Sequence, residues 1–509
     1  MPGSATEHAT ELNGFSSNDR LDGVLEENGL RVTDDDGGPL VDWKSNAEDR
    51  PTNWSSKPTI HTLVVVLLWS MFTTILTTIG TAASVPARQD FGLSQQVGYL
   101  IFTTSTLLGE GIGGALFAPI SESFGRRTVY LFGSVLATIS CGISAIPHPA
   151  SVTIGRFLTG FACAIPPSIS GGIIDDIFHD SPWLTWNIYI WTTVSNAGLS
   201  VGPIVSGYLT FRVGWQWPFY VATIAAFVLT LLSAAMRESR PSLLLKRKAQ
   251  HVERVSNTTS IPTRGHDSFP TLSGFVRQAL VRPLRLLFTE PIIAVSAVIA
   301  ATIFGLAYGL TAGLEVIYIQ YGFSEAATSL SFIPILLGML LATAPRVYDD
   351  WRSRQARKSG AQPDTEPEAK LWSFGVAVPV FAIGLWLVAW TIKPKVSIHW
   401  IVSMVGLVLF GYALNDINFV LAGYVTESYG SYAASAYSGI VMARAAISCG
   451  FAQGTEPFFV ALGPNIAVSI LAAVATLFCL APVLFMRYGK KLRSRSRFAS
   501  SLKDSDDKS

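Results

Sequence analysis

Charge is what this sequence has least of. Asp, Glu, Lys and Arg make up 14% of its 509 residues, against roughly 25% in an ordinary globular domain, and long intervals between residues 60 and 486 carry almost none. A soluble core would not repeat charge-free stretches of about 20 residues so many times, whereas a bilayer demands that length for every crossing. The formal net charge is only +2, and the Lys and Arg sit in short clusters between apolar segments, so no nucleic-acid surface is implied. The four cysteines, Cys141, Cys163, Cys449 and Cys479, all fall inside apolar segments. They support neither a disulfide framework nor a CxxC metal site, and read as small packing residues. No metal or cofactor is expected.

Other absences narrow the function. No G-x-x-x-x-G-K-[ST] loop occurs, so ATP-driven pumping is unsupported. No histidine has an aspartate five residues later, which removes a common cue for a membrane acyltransferase. An enzyme is not expected, and energy for any transport must come from a gradient or from the substrate. Gly109, Gly111 and Gly114 satisfy G-x-G-x-x-G, but they lie inside an apolar segment with no preceding strand. They read as small residues that let helices approach. Residues 1–57 carry twelve Asp or Glu against five Lys or Arg and contain no signal peptide, which predicts a disordered cytosolic tail.

What the chain does have is a series of apolar segments at membrane-spanning length. They cover 60–81, 97–118, 128–147, 150–174, 184–208 and 217–236, then 291–318, 326–345, 371–392, 398–421, 433–456 and 465–486. The expected fold is therefore an all-α integral membrane protein with twelve transmembrane helices in two six-helix halves, 58–236 and 291–486. A polar, basic middle loop, 237–290, separates them, and a basic tail, 487–509, follows. With the N-terminus cytosolic, the cytosolic segments carry 31 Lys or Arg and the external loops 4, namely Arg88, Arg212, Lys393 and Lys395. That asymmetry places both termini in the cytosol. The sequons at Asn53 and Asn257 then face the cytosol and stay unglycosylated.

The loop after the second segment reads Ala118-Pro-Ile-Ser-Glu122-Ser-Phe-Gly125-Arg126-Arg127. It resembles the cytosolic signature of the major facilitator superfamily, in the form typical of fungal multidrug transporters, with Ala118 where the pattern has glycine. Arg156-Phe-Leu-Thr-Gly160 is similar to the R-x-x-x-G motif of that family. Gly198-x-x-x-Gly202-Pro203-x-x-Ser206-Gly207 resembles its antiporter motif, with Ser206 in place of a glycine. Tyr321-Gly-Phe323, Tyr432-Ala-Ala-Ser-Ala436, Arg487-Tyr-Gly-Lys-Lys-Leu-Arg493 and Pro51-Thr-Asn-Trp54-Ser55 extend the likeness over nearly the whole chain. The resemblance implies a major facilitator fold and proton-coupled efflux of small hydrophobic compounds such as drugs or fungal secondary metabolites. It further implies alternating access, in the plasma membrane, by a monomer. Uptake or facilitated diffusion of a nutrient, and a non-transporting membrane sensor, are the rival readings. By the same resemblance, Glu122, Gly125, Arg126 and Arg127 form a gate of charge pairs on the cytosolic side. Gly198, Gly202, Pro203 and Gly207 form a smooth, kinked packing face that limits leak.

Charges inside the apolar segments cost several kcal/mol in lipid and default to functional hypotheses. They are Glu110, Arg156, Glu315, Asp416 and Arg444. Glu427, Asp175, Asp176 and Glu456 lie near segment ends and read as interfacial. Desolvation disfavours the charged form of a carboxyl, which suits Glu110 and Glu315, each expected about mid-span, to carry protons, with Arg156 as modulating cation. Residues 60–81 hold no acid, although many proton-driven exporters of the family have one there. Trp69, Tyr308, Phe410, Tyr412 and Phe419 are expected to line the central cavity, where aromatic walls suit flat apolar solutes.

The charge asymmetry makes a topological prediction. Cysteines placed at Ser4, Ser256 and Ser500 will be labelled by an impermeant thiol reagent only from the cytosolic side. External labelling at Ser256 would overturn the six-plus-six plan.

Overall fold

In the computed structural model, the described residues are 24–35, 38–179, 181–256, 281–358, 371–392, 398–429 and 433–495. Nearly all of them are helical. The first half contains α1 (Ser56–Asp90), α2 (Gln95–Phe124), α3 (Arg126–Ser144), α4 (Pro149–Phe178), α5 (Leu184–Arg212) and α6 (Trp217–Ala234). Two shorter helices follow, α7 (Pro241–Ser256) and α8 (Arg282–Thr289). The second half contains α9 (Pro291–Ile319), α10 (Glu325–Gln355), α11 (Trp372–Thr391), α12 (Trp400–Tyr429), α13 (Ala433–Leu462) and α14 (Pro464–Arg487).

Among the described residues, ten of these helices are long and apolar enough to cross a membrane. The other two long helices are α5 and α13, and their position explains the difference. Each is packed lengthwise against other helices, α5 on α1 and α13 on α9, so polar side chains such as Asn187, Asn196 and Arg444 face protein instead of lipid. Elsewhere the outer surface is apolar: Ile224, Leu231 and Leu477 are 66%, 58% and 69% exposed, the lipid-facing pattern of a bilayer helix bundle.

The two halves repeat one packing scheme. In the first, α1 packs on α5, α2 on α4, and α3 on both α4 and α6; in the second, α9 packs on α13, α10 on α12, and α11 on both α12 and α14. The halves meet along two seams, α2 against α13 and α5 against α10. Close approach within a half depends on glycine at the crossings. A Cβ at Gly160 on α4 would lie 1.8 Å from the Thr106 carbonyl oxygen on α2.

Within the tail expected to be disordered, residues 24–35 and 38–57 carry defined structure. Strands β1 (Leu30–Asp35) and β2 (Gly38–Trp43) form an antiparallel hairpin with Val32 opposite Val41. It is held by a small core in which Leu25, Leu30, Val41, Trp43 and Ala47 pack on Leu245, Ala249 and Val252 of α7. Those three α7 positions recur at the helical period and make one apolar stripe, and the Trp43 indole donates to the Pro241 carbonyl at 3.3 Å. The tail is acidic over its whole length, but its apolar residues cluster within 25–47, and they had a partner in the middle loop. Residues 1–23, Asn257, Tyr432, Lys393, Lys395, the stretch from 257 to 280 and the tail beyond 495 lie outside the described residues.

The tight crossings predict a sharp contrast. Gly160→Ala should cost about 1–3 kcal/mol, as overpacking does, and lower the unfolding temperature of the detergent-solubilised protein. Gly450→Ala, where a Cβ meets nothing within 4 Å, should leave it unchanged or raise it. Equal behaviour of the two variants would contradict the α2–α4 contact.

Candidate functional site

The helices of the first half are tied by Arg156. It stands on α4 with no exposed surface, and its guanidinium donates from Nε to the Phe102 carbonyl (2.8 Å), from Nη1 to that of Leu76 (2.8 Å) and from Nη2 to that of Thr77 (3.3 Å). The ring of Phe219 lies 5.7 Å away. Phe102 belongs to a π-helical turn, Leu100–Thr104, within α2, where the ordinary backbone ladder is interrupted. Carbonyl dipoles of α1 and α2 thus answer the charge, and no carboxylate pairs with Arg156 among the described residues.

Glu110 pairs elsewhere. Its Oε1 accepts from Nη2 of Arg444 at 3.0 Å, which joins α2 of the first half to α13 of the second. Both side chains are nearly buried, at 12% and 15% exposure. The Arg444 guanidinium sits 4.4 Å from the centre of the Phe304 ring, and Tyr308 lies within electrostatic reach of both charges. The glycines around Glu110 explain how the helices come so close. Gly109 and Gly113 face α4, while Cβ atoms at Gly111 and Gly114 would lie 3.0 Å from Ala445 and Val441 of α13. Nearby, the amide of Gln453 and the hydroxyl of Thr104 are hydrogen-bonded at 2.8 Å.

The second seam, where α5 meets α12 as well as α10, is neutral and polar. Asn196 on α5 donates to Asn415 on α12 (2.9 Å), Asn415 donates to Thr193 (2.9 Å), and Asn418 donates to Asn196 (3.2 Å). The hydroxyls of Tyr189 and Thr343 meet at 3.3 Å. Beside it, fully buried Asp416 pairs with Arg346 of α10 at 3.2 Å, and Arg346 also reaches Asp349 at 3.0 Å. Phe419 lies under the Arg346 guanidinium, 5.0 Å away. Neither Arg346 nor the asparagines were singled out from the sequence. Amide side chains in otherwise apolar segments were the available signal.

The residues that resemble an antiporter motif sit on α5 against α1. A Cβ at Gly202 would lie 2.0 Å from Thr78 Oγ1 and one at Gly198 2.4 Å from the Met71 carbonyl oxygen. Pro203 is buried in the helix between them and Ser206, whose hydroxyl donates to the Ile79 carbonyl at 2.6 Å. Gly207 turns to the other half, where a Cβ would lie 2.7 Å from that of Ser329.

Between the seams lies a cavity of about 10 Å³ lined by Thr78, Leu199, Ser200, Tyr308, Phe410 and Leu414, among others. That volume holds about one water molecule. Of the five aromatic residues expected to line it, Tyr308 and Phe410 do. Trp69 is instead buried, with its indole donating to Ser233 Oγ at 2.9 Å, Phe419 packs edge-on against Tyr189, and Tyr412 is not in the lining. Glu315 is half-buried and does not sit at mid-span: it lies four residues before Ile319, where α9 ends.

At the hairpin end of the first half, Gly125 links α2 to α3 with φ of 95°, a conformation other residues rarely adopt. Arg126 donates from Nε to Asp176 of α4 (3.2 Å) and from Nη1 to Ser121 (2.8 Å). The carboxylate of Glu238 accepts from the backbone N–H groups of Arg126 (2.8 Å) and Arg127 (3.2 Å). The acid facing Arg126 is therefore Asp176, two residues before α4 ends, whereas Glu122 makes no hydrogen bond or ion pair among the described residues. A helix places Glu122 and Arg126 on neighbouring turns, but Gly125 ends α2 between them and turns Arg126 away. The side chains of Glu427 and Glu456 lie outside the described residues.

Known proteins share this organisation. Residues 60–453 match the model of the Major Facilitator Superfamily. An uncharacterized transporter of Schizosaccharomyces pombe is 30% identical over 483 residues, which cover 93% of this chain and 87% of the relative. An efflux pump of Gibberella moniliformis is 30% identical over 414 residues, 81% of this chain and 69% of the pump. In fold, the chain is similar to the proton:xylose symporter XylE of E. coli, with a TM-score of 0.61 at 16% identity over 86% of this chain and 96% of the symporter. With two halves built on one packing scheme and a sequence match that runs through both, the chain belongs to the Major Facilitator Superfamily and is a multi-pass membrane transporter, not an enzyme.

Proposed function

We propose that this transporter exports small hydrophobic compounds in exchange for protons, and that the Glu110–Arg444 pair couples the two movements. In this reading the chain crosses the plasma membrane twelve times as a monomer with both termini cytosolic, and the halves rock to expose the centre to each side in turn. The observation that carries the proposal is the position of the pair: among the described residues it is the ion pair that joins the halves. Protonating Glu110 removes one of the two charges and with it the Coulomb attraction across the α2–α13 seam, which in a low-dielectric interior is far stronger than in water. Proton arrival then favours parting of the halves, and proton loss favours closure.

An export role is supported by the likeness to a fungal efflux pump and by the antiporter motif on α5. The cavity lining supports an apolar substrate, since Leu199, Phe332, Met339 and Leu414 outnumber the hydroxyls of Thr78 and Ser200. Arg126 and Asp176 are the charge pair best placed to act as a gate at the hairpin end, with Glu122 free to join them in another state. The absence of an acid from α1 keeps proton-driven or passive uptake as the second reading, and the direction of accumulation separates the two.

Two outcomes follow for purified protein in proteoliposomes. Glu110→Gln, which keeps size and hydrogen-bonding capacity but cannot titrate, will retain exchange of substrate without a gradient and lose accumulation driven by a proton gradient. A Glu110→Gln, Glu315→Gln double variant that still concentrates substrate would remove both from the coupling role and leave Asp416 as the next carboxyl to examine. Arg126→Ala will slow flux by about tenfold, equivalent to ~1.4 kcal/mol, with membrane insertion intact. Unchanged flux would return the loop to a topology anchor.

A further inference from the structure

The hairpin and α7 do more than fill space below the first half. Between them and the ends of α3 and α6 opens a cavity of about 780 Å³. Its floor is Ala234, Ala235 and Met236, directly beyond the outward-facing residues Phe227 and Leu231 of α6, which are 54% and 58% exposed. The cavity therefore begins where the lipid-facing surface of α6 ends. Trp43 and Trp54 supply flat apolar wall, and most of the remaining lining, apart from Asn28, Leu244 and His251, is charged.

The charges do not cancel. Four cations face the cavity, Arg127, Arg237, Arg247 and Lys248, against two carboxylates, Asp49 and Glu238, with His251 beside them. Both carboxylates are already engaged. Asp49 accepts from Lys248 at 2.7 Å, and Glu238 accepts from the backbone N–H groups of Arg126, Arg127 and Arg240. Arg127 donates to the Ala234 carbonyl at 2.8 Å. Arg237, Arg247 and His251 make no hydrogen bond or ion pair among the described residues. A cavity with an excess of two positive charges, two unengaged guanidinium forks and aromatic walls suits a doubly charged phosphate ester on a compact carbon frame.

We propose that this cavity is a binding site for a phosphate monoester, presented either by the headgroup of an anionic phospholipid or by a soluble organic phosphate. The ligand bridges Arg237 at the end of α6 to Arg247 on α7 and so clamps the hairpin module to the first half. The transport reading plays no part in this assignment.

The test uses the full-length protein in detergent with a fluorescent short-chain phosphatidylinositol 4-phosphate, read by anisotropy. Binding should saturate. Because each surface cation near a phosphate contributes about 1 kcal/mol, roughly fivefold in affinity, Arg237→Gln, Arg247→Gln should weaken it by about 25-fold. Arg237→Lys, Arg247→Lys should keep most of the affinity, and Arg352→Gln, Arg354→Gln, in the second half, should change nothing. Both arginines of the site are exposed, so unfolding temperature will stay at the wild-type value in all three. If the free inositol bisphosphate headgroup competes as well as the lipid does, the source is a soluble phosphate. If only lipid in phosphatidylcholine vesicles competes, the source is the bilayer. Undiminished binding by the Gln variant, or an equal loss in the second-half control, would overturn the site.

Discussion

A charge in an apolar interior must find a partner there, and Glu110 finds its own in the opposite half of the molecule, 3.0 Å away on Arg444. This demand organises the α2–α13 seam. The two helices approach closely enough for the pair only because Gly111 and Gly114 present no side chain to Ala445 and Val441. Breaking a buried pair by separating its members leaves two uncompensated charges, a cost of several kcal/mol. In the proposed coupling, protonation of Glu110 lets the seam open without separating two charges.

The buried charges Arg156, Arg346 and Asp416 find their partners within one half, although Arg346 Nε and Asp416 Oδ2 make no hydrogen bond among the described residues. Arg156 takes its acceptors from backbone carbonyls of α1 and α2, and Arg346 holds Asp416 and Asp349 together. These contacts make each half a stiff unit. The α5–α12 seam between halves is instead built from neutral amides and hydroxyls, whose hydrogen bonds exchange for one another or for water at little net cost. In the proposed rocking motion, one charged seam and one neutral seam are the lines along which the halves part. The cavity between the seams is sized for about one water molecule.

Much of this was legible in the sequence. Apolar segments of bilayer length locate the long helices, and the motif residues mark the turn at Gly125 and the α5 face at Gly198 and Gly202. The intramembrane charges were found as well, because each interrupts a long apolar run. Their partners were not. Periodicity reports which face of a helix is apolar, but Glu110 and Arg444 are 334 positions apart, and only tertiary packing brings them together. For the same reason the sequence did not pair Asp176 with Arg126 or Asp416 with Arg346. The hairpin escaped notice because overall acidity masked a short apolar alternation whose partner, Leu245 to Val252, lies some 200 residues on.

The central claim is that the halves part along the α2–α13 seam during transport. Gly111 and Ala445 face each other across it, with a Cβ at Gly111 lying 3.0 Å from that of Ala445, close enough for a disulfide after slight adjustment. In a background without the four native cysteines, Gly111→Cys, Ala445→Cys should cross-link on oxidation. Flux in proteoliposomes should then stop and return on reduction. Transport at the uncross-linked rate by fully cross-linked protein would contradict the account.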